Sequence, residues 1–392
     1  MTDPFRTQRN RFWRWRNDRR RTREQEEYED RFRRLGLAIP DEADLRGIFK
    51  ARFPGLQSKA GGALHILAVY RNFNWEDEAL TPSLETFGMV HRYDWSGRFD
   101  AEGGEWHGGM KAAMNRDLLA WIRERAEAGE ADAIFFYLSG EQVYPETMEA
   151  ISHLGIPTVN LALNDKEGFV GRVRDGRAEG NRDICRWINL SWTSTGDAVI
   201  KYCVEGGRPI YLPEGANPTI HRPYDVGRTI DVSFVGQHYG NRPAVIDHLC
   251  RRGIAVEAFG PGWPAGPLPV EDMVKLYSRS RINLGFGGVE GHTDTFCLKG
   301  RDFEIPMSGG LYLTEDHPEL ARAYEIGQEI VTWRNPEDLA EKIFHLLAHP
   351  AEAEEIRQRG YERARRDHTW ERRLEKVFGI LGVIEEEEDK KA

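Results

Sequence analysis

Two Rossmann-like domains, each a parallel sheet covered by helices on both faces, form the α/β fold that this sequence predicts. Three observations predict it. The 392 residues exceed one ordinary domain and fit two of about 150 to 200 residues each. Short apolar runs alternate with helical stretches, the pattern of strand–helix–strand crossovers. The alternation halts in the loop Pro213 to Arg228 and then restarts, which places a domain boundary near residue 222.

In the first half the strands are Leu64 to Tyr70, Ala133 to Leu138, Thr158 to Leu163, Ile188 to Trp192 and Pro209 to Leu212, all short and rich in β-branched or aromatic residues. The helices between them are Met110 to Ala126, Pro145 to Leu154 and Asp197 to Val204, the last stopped by Gly206 and Gly207. In the second half Asp231 to Val235, Ala255 to Phe259, Ile282 to Gly285, Gly310 to Thr314 and Glu329 to Trp333 are strands. A helix follows with Asn335 as N-cap, Pro336 in its first position and a stripe of Leu339, Ile343, Leu346 and Leu347. A last helix presents Trp370, Leu374, Val377, Phe378 and Leu381 on one face. The expected organisation is an Arg-rich arm and helix over 1–60, an N-terminal domain over 61–222, a C-terminal domain over 223–383 and a charged tail over 384–392.

Composition narrows the class. Hydrophobic residues make up 40% and charged residues 30%, and no apolar run approaches the roughly 20 residues that span a bilayer. With no signal-peptide pattern, a cytoplasmic protein is expected. Cys185, Cys203, Cys250 and Cys297 lie far apart with no CxxC pair, so buried thiols are expected rather than a zinc site or a disulfide framework. Residues 1–34 hold twelve Arg against seven Asp or Glu, giving +5, so the rest of a chain of formal charge −10 carries −15. So acidic a body is a poor general binder of nucleic acid. The arm is different, because Phe12, Trp13, Trp15, Tyr28 and Phe32 stand among its arginines. The helical spacing of Tyr28, Phe32 and Leu35 makes its second half dock, either on the protein itself or on an anionic partner.

In parallel α/β sheets ligands bind beyond the carboxyl ends of the strands. Three loops there carry chemistry in the second half. Phe234-Val235-Gly236-Gln237-His238-Tyr239-Gly240-Asn241-Arg242 leaves a strand and enters a helix, and its glycines, helix start and arginine suit a phosphate. Gly285 to Thr295 is glycine-rich and includes His292 and Thr293. Lys299-Gly300-Arg301-Asp302-Phe303-Glu304 opens a short helix that ends at Gly309; its cations suit a diphosphate, and a fixed carboxylate can accept from vicinal sugar hydroxyls.

From Asp231 to Phe378 the sequence resembles the C-terminal domain of CgeB-like (spore maturation protein) glycosyltransferases. The resemblance rests on Phe234-Val235-Gly236 with Arg242, on Arg301-x-Phe303-Glu304 with Gly309, on Gly327-Gln328-Glu329-Ile330-Val331 and on His368-Thr369. The first half resembles the family loosely, through element order and Tyr211-Leu212-Pro213-Glu214-Gly215. The resemblance implies a GT-B architecture, with two domains facing a cleft, the acceptor in the first domain and a nucleotide-diphosphate sugar, a UDP-sugar foremost, in the second. It implies a hexosyltransferase that needs no metal and no cofactor, in keeping with the absence of an Asp-x-Asp pair. Donor-binding residues are then Gly236, His238, Arg242, His292, Thr293, Lys299, Arg301 and Glu304. An inverting transfer needs a general base, for which Asp165, His107 and Glu141 are the first-domain candidates. Related retaining enzymes often carry a further Glu eight residues before the Glu304 position, where this chain has Phe296; Pro306 stands where Ala is commoner, tolerable in a first turn. The acceptor is open among glycan, protein, lipid and modified DNA. Two other readings stay alongside: an enzyme that glycosylates nucleic acid or works at an anionic surface through residues 1–34, and a GT-B-like binding protein without turnover.

Overall fold

The computed structural model describes residues 4–73 and 75–385, with residues 4–12 given by backbone alone. Contacts divide the chain into two compact units. The first comprises Arg23–Pro213 with the chain from Glu371 onward, and the second comprises the chain up to Thr22 with Glu214–Trp370. The division falls at Glu214 rather than at 222, and residues 1–60 are not a body of their own. A local cause sets the earlier break. The Ala216 N–H donates to the His368 carbonyl at 2.9 Å and the Trp370 N–H to the Ala216 carbonyl at 3.1 Å. Gly215 lies so close that a Cβ there would come within 2.8 Å of the Thr369 and Trp370 backbone, so residues 214–216 are held against 368–370.

The first unit contains β1 (Leu64–Val69), β2 (Gly88–Tyr93), β3 (Ala133–Phe136), β4 (Thr158–Ala162), the hairpin β5 (Val173–Arg174) and β6 (Arg177–Ala178), β7 (Leu190–Thr193) and β8 (Pro209–Tyr211). Its main sheet runs β2-β1-β3-β4-β7-β8, parallel throughout. Strands buried on both faces read as continuous apolar runs, which is why β1, β3 and β4 were legible. Strand β2 was not foreseen: it is an edge strand with His91 and Arg92 half-exposed, so it lacks that run. Leu67, Val69, Ile134 and Phe136 meet Met114, Leu118, Ile122, Met148 and Ile151 from two helices in one core. Full burial of each such side chain contributes about 1.5–3 kcal/mol.

In the second unit β9 (Ile230–Val235), β10 (Glu257–Phe259), β11 (Ser280–Leu284), β12 (Tyr312–Glu315) and β13 (Val331–Trp333) form a parallel sheet in the order β10-β9-β11-β12-β13. Val232, Phe234, Ile282, Leu284 and Leu313 pack with Leu339, Ala340, Ile343 and Leu346 of helix Pro336–Ala348. Asn335 caps that helix as expected, its side chain accepting from the Glu337 and Asp338 N–H groups at 3.1 and 3.0 Å. A second cluster holds Phe303, Ile305, Tyr277, Tyr324 and Ile330. Pro306 is the next-to-last residue of helix Gly300–Met307, not a first-turn proline; there it costs the hydrogen bond its missing N–H would make.

The arm is helical over Pro4–Arg34. Within the first unit Tyr28 is buried edge-on against Phe169 and donates to Glu205 at 2.9 Å, while Arg31 pairs with Glu205 and Lys201 with Glu24. Phe32 is half-buried but Leu35 is 59% exposed, so the docking rests on Tyr28 and ion pairs rather than on the full apolar stripe. Trp13 and Trp15 are exposed; the Phe12 side chain and the tail beyond residue 385 lie outside the described residues. Cys250 is exposed, against the expectation of buried thiols, because it lies on the outer face of helix Arg242–Arg251. Among the described residues no helix is long and apolar enough to cross a membrane.

Candidate functional site

Each main sheet reverses its strand order beside its first strand. In the second unit the reversal lies between β9 and β11, and in the first between β1 and β3. Connections leave such a point in opposite directions and open a crevice at the strands' carboxyl ends, the default ligand position of this architecture.

Beyond β9 and β11 the loops 236–241 and 285–299 come together. Tyr239 was missed by sequence reasoning and joins them: its hydroxyl accepts from Arg242 Nη2 at 2.9 Å and from Lys299 Nζ at 3.4 Å. Glu315, at the end of β12, was missed as well. It accepts from Asn241 Nδ2 at 2.9 Å and from the Gly288 N–H at 3.2 Å, tying one loop to the other.

The expected cations divide by role. Arg242 is almost wholly buried, donates from Nη1 to the Gln237 carbonyl at 2.8 Å and lies over the Tyr239 ring at 3.9 Å, so it shapes its own loop. Burial lowers its pKa, with Tyr239 opposing and the nearby Arg301 charge adding to the fall. Lys299 donates to the Gly288 carbonyl at 2.6 Å and to that of Phe286 at 3.2 Å, which also spends it on a loop. Arg301 is the exception. Among the described residues its guanidinium forms no ion pair within 4.0 Å, and its Nε has no hydrogen-bond partner. Burial opposes its charge, but Tyr277, Glu304, Tyr312 and Glu214 outweigh that and raise its pKa. An enclosed arginine without a paired carboxylate keeps its charge and an N–H donor available for a charge-assisted bond.

Glu304 lies one helical turn on. Its carboxylate is 19% exposed and takes no hydrogen bond from the described residues; His221 Nε2 lies 4.0 Å from its Oε1. Phe303 between them is buried as scaffold. Asp302 is structural: it accepts from the Lys299 N–H at 2.6 Å and the Tyr312 hydroxyl at 2.7 Å, and burial pushes its pKa up to about 6.

The other expected donor residues are placed less simply. Gly236 is enclosed, its N–H donating to Phe259 and its carbonyl accepting from Trp263 Nε1 at 2.8 Å. His238 is exposed, edge-on to Trp263. His292 and Thr293 turn to the N-terminal helix. Asp18 takes His292 Nδ1, the Thr293 N–H and the Thr295 hydroxyl, each at 2.8 Å, and Asn17 Nδ2 donates to the Gly291 carbonyl at 3.0 Å. Their polar atoms thus serve this clasp, a partnership that only the tertiary fold brings about.

The first unit has a cavity of about 550 Å³ at its own switch point, lined by Arg71 after β1 and by Ser139 and Glu141 after β3, with Glu102, Asn164 and Glu179 around it. Glu141 is exposed there. His107 is exposed beside the cavity, its Nε2 3.9 Å from Glu179. Asp165 is 1% exposed at the cavity's back, and its oxygens are taken by Asn181 Nδ2 at 2.9 Å and the Tyr202 hydroxyl at 2.7 Å. Burial raises its pKa. A carboxyl so enclosed holds the fold together and is badly placed to take a proton from a substrate.

The fold is that of the two-domain GT-B glycosyltransferases. Residues 242–379 match the family described as glycosyl transferase-like. Among solved structures the chain is similar to sucrose-phosphate synthase from Thermosynechococcus elongatus, at 12% identity and a TM-score of 0.56 over 81% of this chain and 99% of that one. It is similar to a glycosyltransferase from Rickettsia africae ESF-5, at 10% identity and a TM-score of 0.54 over 81% and 97%. HepE of Anabaena, solved in complex with UDP and glucose, gives 10% identity and a TM-score of 0.53 over 81% and 100%. Over 199 residues, 42% of this chain, the sequence is 23% identical to alpha-(1,3)-fucosyltransferase 4 of Rattus norvegicus, of which it spans 45%.

Proposed function

We propose that the protein is a glycosyltransferase that takes a nucleotide-diphosphate sugar at the β9/β11 crevice and transfers the sugar to an acceptor bound in the first unit's cavity. The unpaired guanidinium of Arg301 beside the open carboxylate of Glu304 carries this reading. During transfer the acceptor oxygen bonds to the anomeric carbon while the bond to the diphosphate breaks. Charge then gathers on the leaving phosphate, and a fixed cation there stabilises the transition state more than the ground state. Glu304 receives hydroxyls of the ribose or sugar. The nucleotide is uridine diphosphate, as in the HepE complex of shared fold, and the motifs quoted above favour the CgeB-like group within the class. A sugar-sized acceptor suits a cavity of about 550 Å³ edged with carboxylates, and Glu141 is its best-placed base. No metal is required, since arginine supplies the charge that a divalent ion otherwise would.

The test is nucleoside-diphosphate release from a panel of UDP-, GDP- and ADP-sugars, with and without candidate saccharides. Release from at least one donor, lost in Arg301→Ala, is expected. Binding without release under every condition would favour the non-catalytic reading.

A further inference from the structure

Glu214 comes from the segment joining the halves of the chain, 90 residues before Glu304 in the sequence, yet the two carboxyls meet at one glycine. A Cβ on Gly300 would lie 2.8 Å from Glu304 Oε1 and 3.3 Å from Glu214 Oε2, so both oxygens lie against the start of helix Gly300–Met307, where a side chain at position 300 would press on them. The position is built. Gly215 and Ala216 are fastened to the Thr369–Trp370 backbone, and His368 beneath them is packed between Phe303 and Tyr324, with Nε2 on the Ala323 carbonyl at 2.9 Å. No hydrogen bond from the described residues reaches either carboxyl.

We infer that Glu214 is a second hydroxyl-binding group of the donor site, paired with Glu304 across Gly300. The inference rests on the donor-site reading above and extends it to a residue outside the matched segment 242–379. The two carboxyls do different work. Glu214 is pushed up to about 8, chiefly by burial and then by the charges of Glu304 and Asp302, with Arg301 and Lys299 opposing. At neutral pH it therefore carries a proton and donates, while Glu304 accepts. A donor and an acceptor side by side match a vicinal diol, in which one hydroxyl accepts and the other donates. The groups facing the pair include Arg301, Asp302, Lys299 and Cys297 from the helix of Glu304 and the loop before it, Tyr277 from helix Val270–Arg279, and His221 from the segment after Glu214.

Calorimetry of the full chain with UDP-, GDP- and ADP-glucose, and with pyrophosphate, between pH 6.5 and 9.5 tests this. For the tightest nucleotide sugar, wild-type affinity should fall as pH rises through about 8, because ionised Glu214 loses its O–H and adds a negative charge beside Glu304. Glu214→Gln keeps an N–H donor without titrating, so it should bind at pH 7 within a few-fold of wild type and show a flat profile. Glu214→Ala should weaken sugar-nucleotide binding about 5- to 10-fold at pH 7 and leave pyrophosphate unchanged. A wild-type pH profile in Glu214→Gln, or full affinity in Glu214→Ala, overturns the inference; should the alanine variant not fold, the glutamine profile decides alone. Arg301→Ala separates the two levels. If it weakens pyrophosphate while the Glu214 variants behave as wild type, only the role of Glu214 falls, whereas indifference of all variants, or no binding of any probe, removes the donor site and this inference together.

Discussion

Truncating Arg301 is the sharpest perturbation of the proposed donor site. Of the three basic side chains around the crevice, Arg242 and Lys299 already spend hydrogen bonds on the Gln237, Phe286 and Gly288 carbonyls. Neither can swing round to replace Arg301 without releasing its loop. Arg301 donates to no carboxylate among the described residues, so a phosphate gains its full charge-assisted bond, worth about 1.5–3 kcal/mol, or about 10- to 150-fold in affinity. Arg301→Ala should lose that factor for a nucleotide sugar and for pyrophosphate alike. Glu304→Ala should lose affinity for the nucleotide sugar and not for pyrophosphate, because pyrophosphate lacks the vicinal ribose and sugar hydroxyls that the carboxylate is assigned to receive. Arg301→Lys keeps the charge but not the planar fork and should fall between wild type and alanine. Isothermal titration on variants whose circular dichroism and melting match wild type reads the result. Unchanged affinity in both Arg301→Ala and Glu304→Ala would refute the reasoning and place the anion elsewhere.

Three further outcomes follow from the same structure. Donor turnover should persist in excess chelator, since arginine is assigned the charge-stabilising role; complete loss, restored by magnesium or manganese, contradicts this. Asp165→Ala leaves the Tyr202 hydroxyl and the Asn181 amide unpaired in the core and should cost about 2–4 kcal/mol by chemical denaturation, with donor affinity retained. Wild-type stability with abolished turnover would instead make Asp165 the base. On the N-terminal helix Trp13, Trp15, Arg16, Arg19 and Arg20 are exposed, with Arg19 over the Trp15 ring at 4.4 Å. Reversing those three arginines to Glu should abolish any low-salt binding to anionic vesicles or short DNA while sparing donor affinity, and an unchanged salt dependence would make this face inert.

What the sequence made legible follows burial. Strands covered on both faces announce themselves as apolar runs, and the Asn335–Pro336 cap is a local signal that needs no partner. The edge strand β2, half-exposed, gave no such signal. At the candidate site, Arg301 and Glu304 stand out in the sequence because a helix start concentrates charge within a few residues. Glu214 and Glu315 do not, since their neighbours there lie far along the chain, nor does Tyr239, whose contact with Lys299 is equally distant in sequence, and nothing in Tyr-Leu-Pro-Glu-Gly shows that its carboxyl will lie near Gly300. The same blindness explains His292 and Thr293. A glycine-rich loop with polar side chains looks like a ligand loop until Asp18, more than 270 residues away, is seen to take its donors. Asp165 stood among the candidate bases for the same reason, as the closure of Tyr202 and Asn181 over it is tertiary.

Hydrogen exchange with and without the tightest-binding nucleotide sugar tests the central claim most directly, because it locates the donor without presupposing any residue. The account predicts slowed exchange in peptides covering 236–242, 285–289 and 299–304, which hold the loops beyond β9 and β11 and the helix start that carries Arg301. Protection confined to 71–73, 139–142 and 164–181, around the first unit's cavity, with none near Arg301, would contradict it.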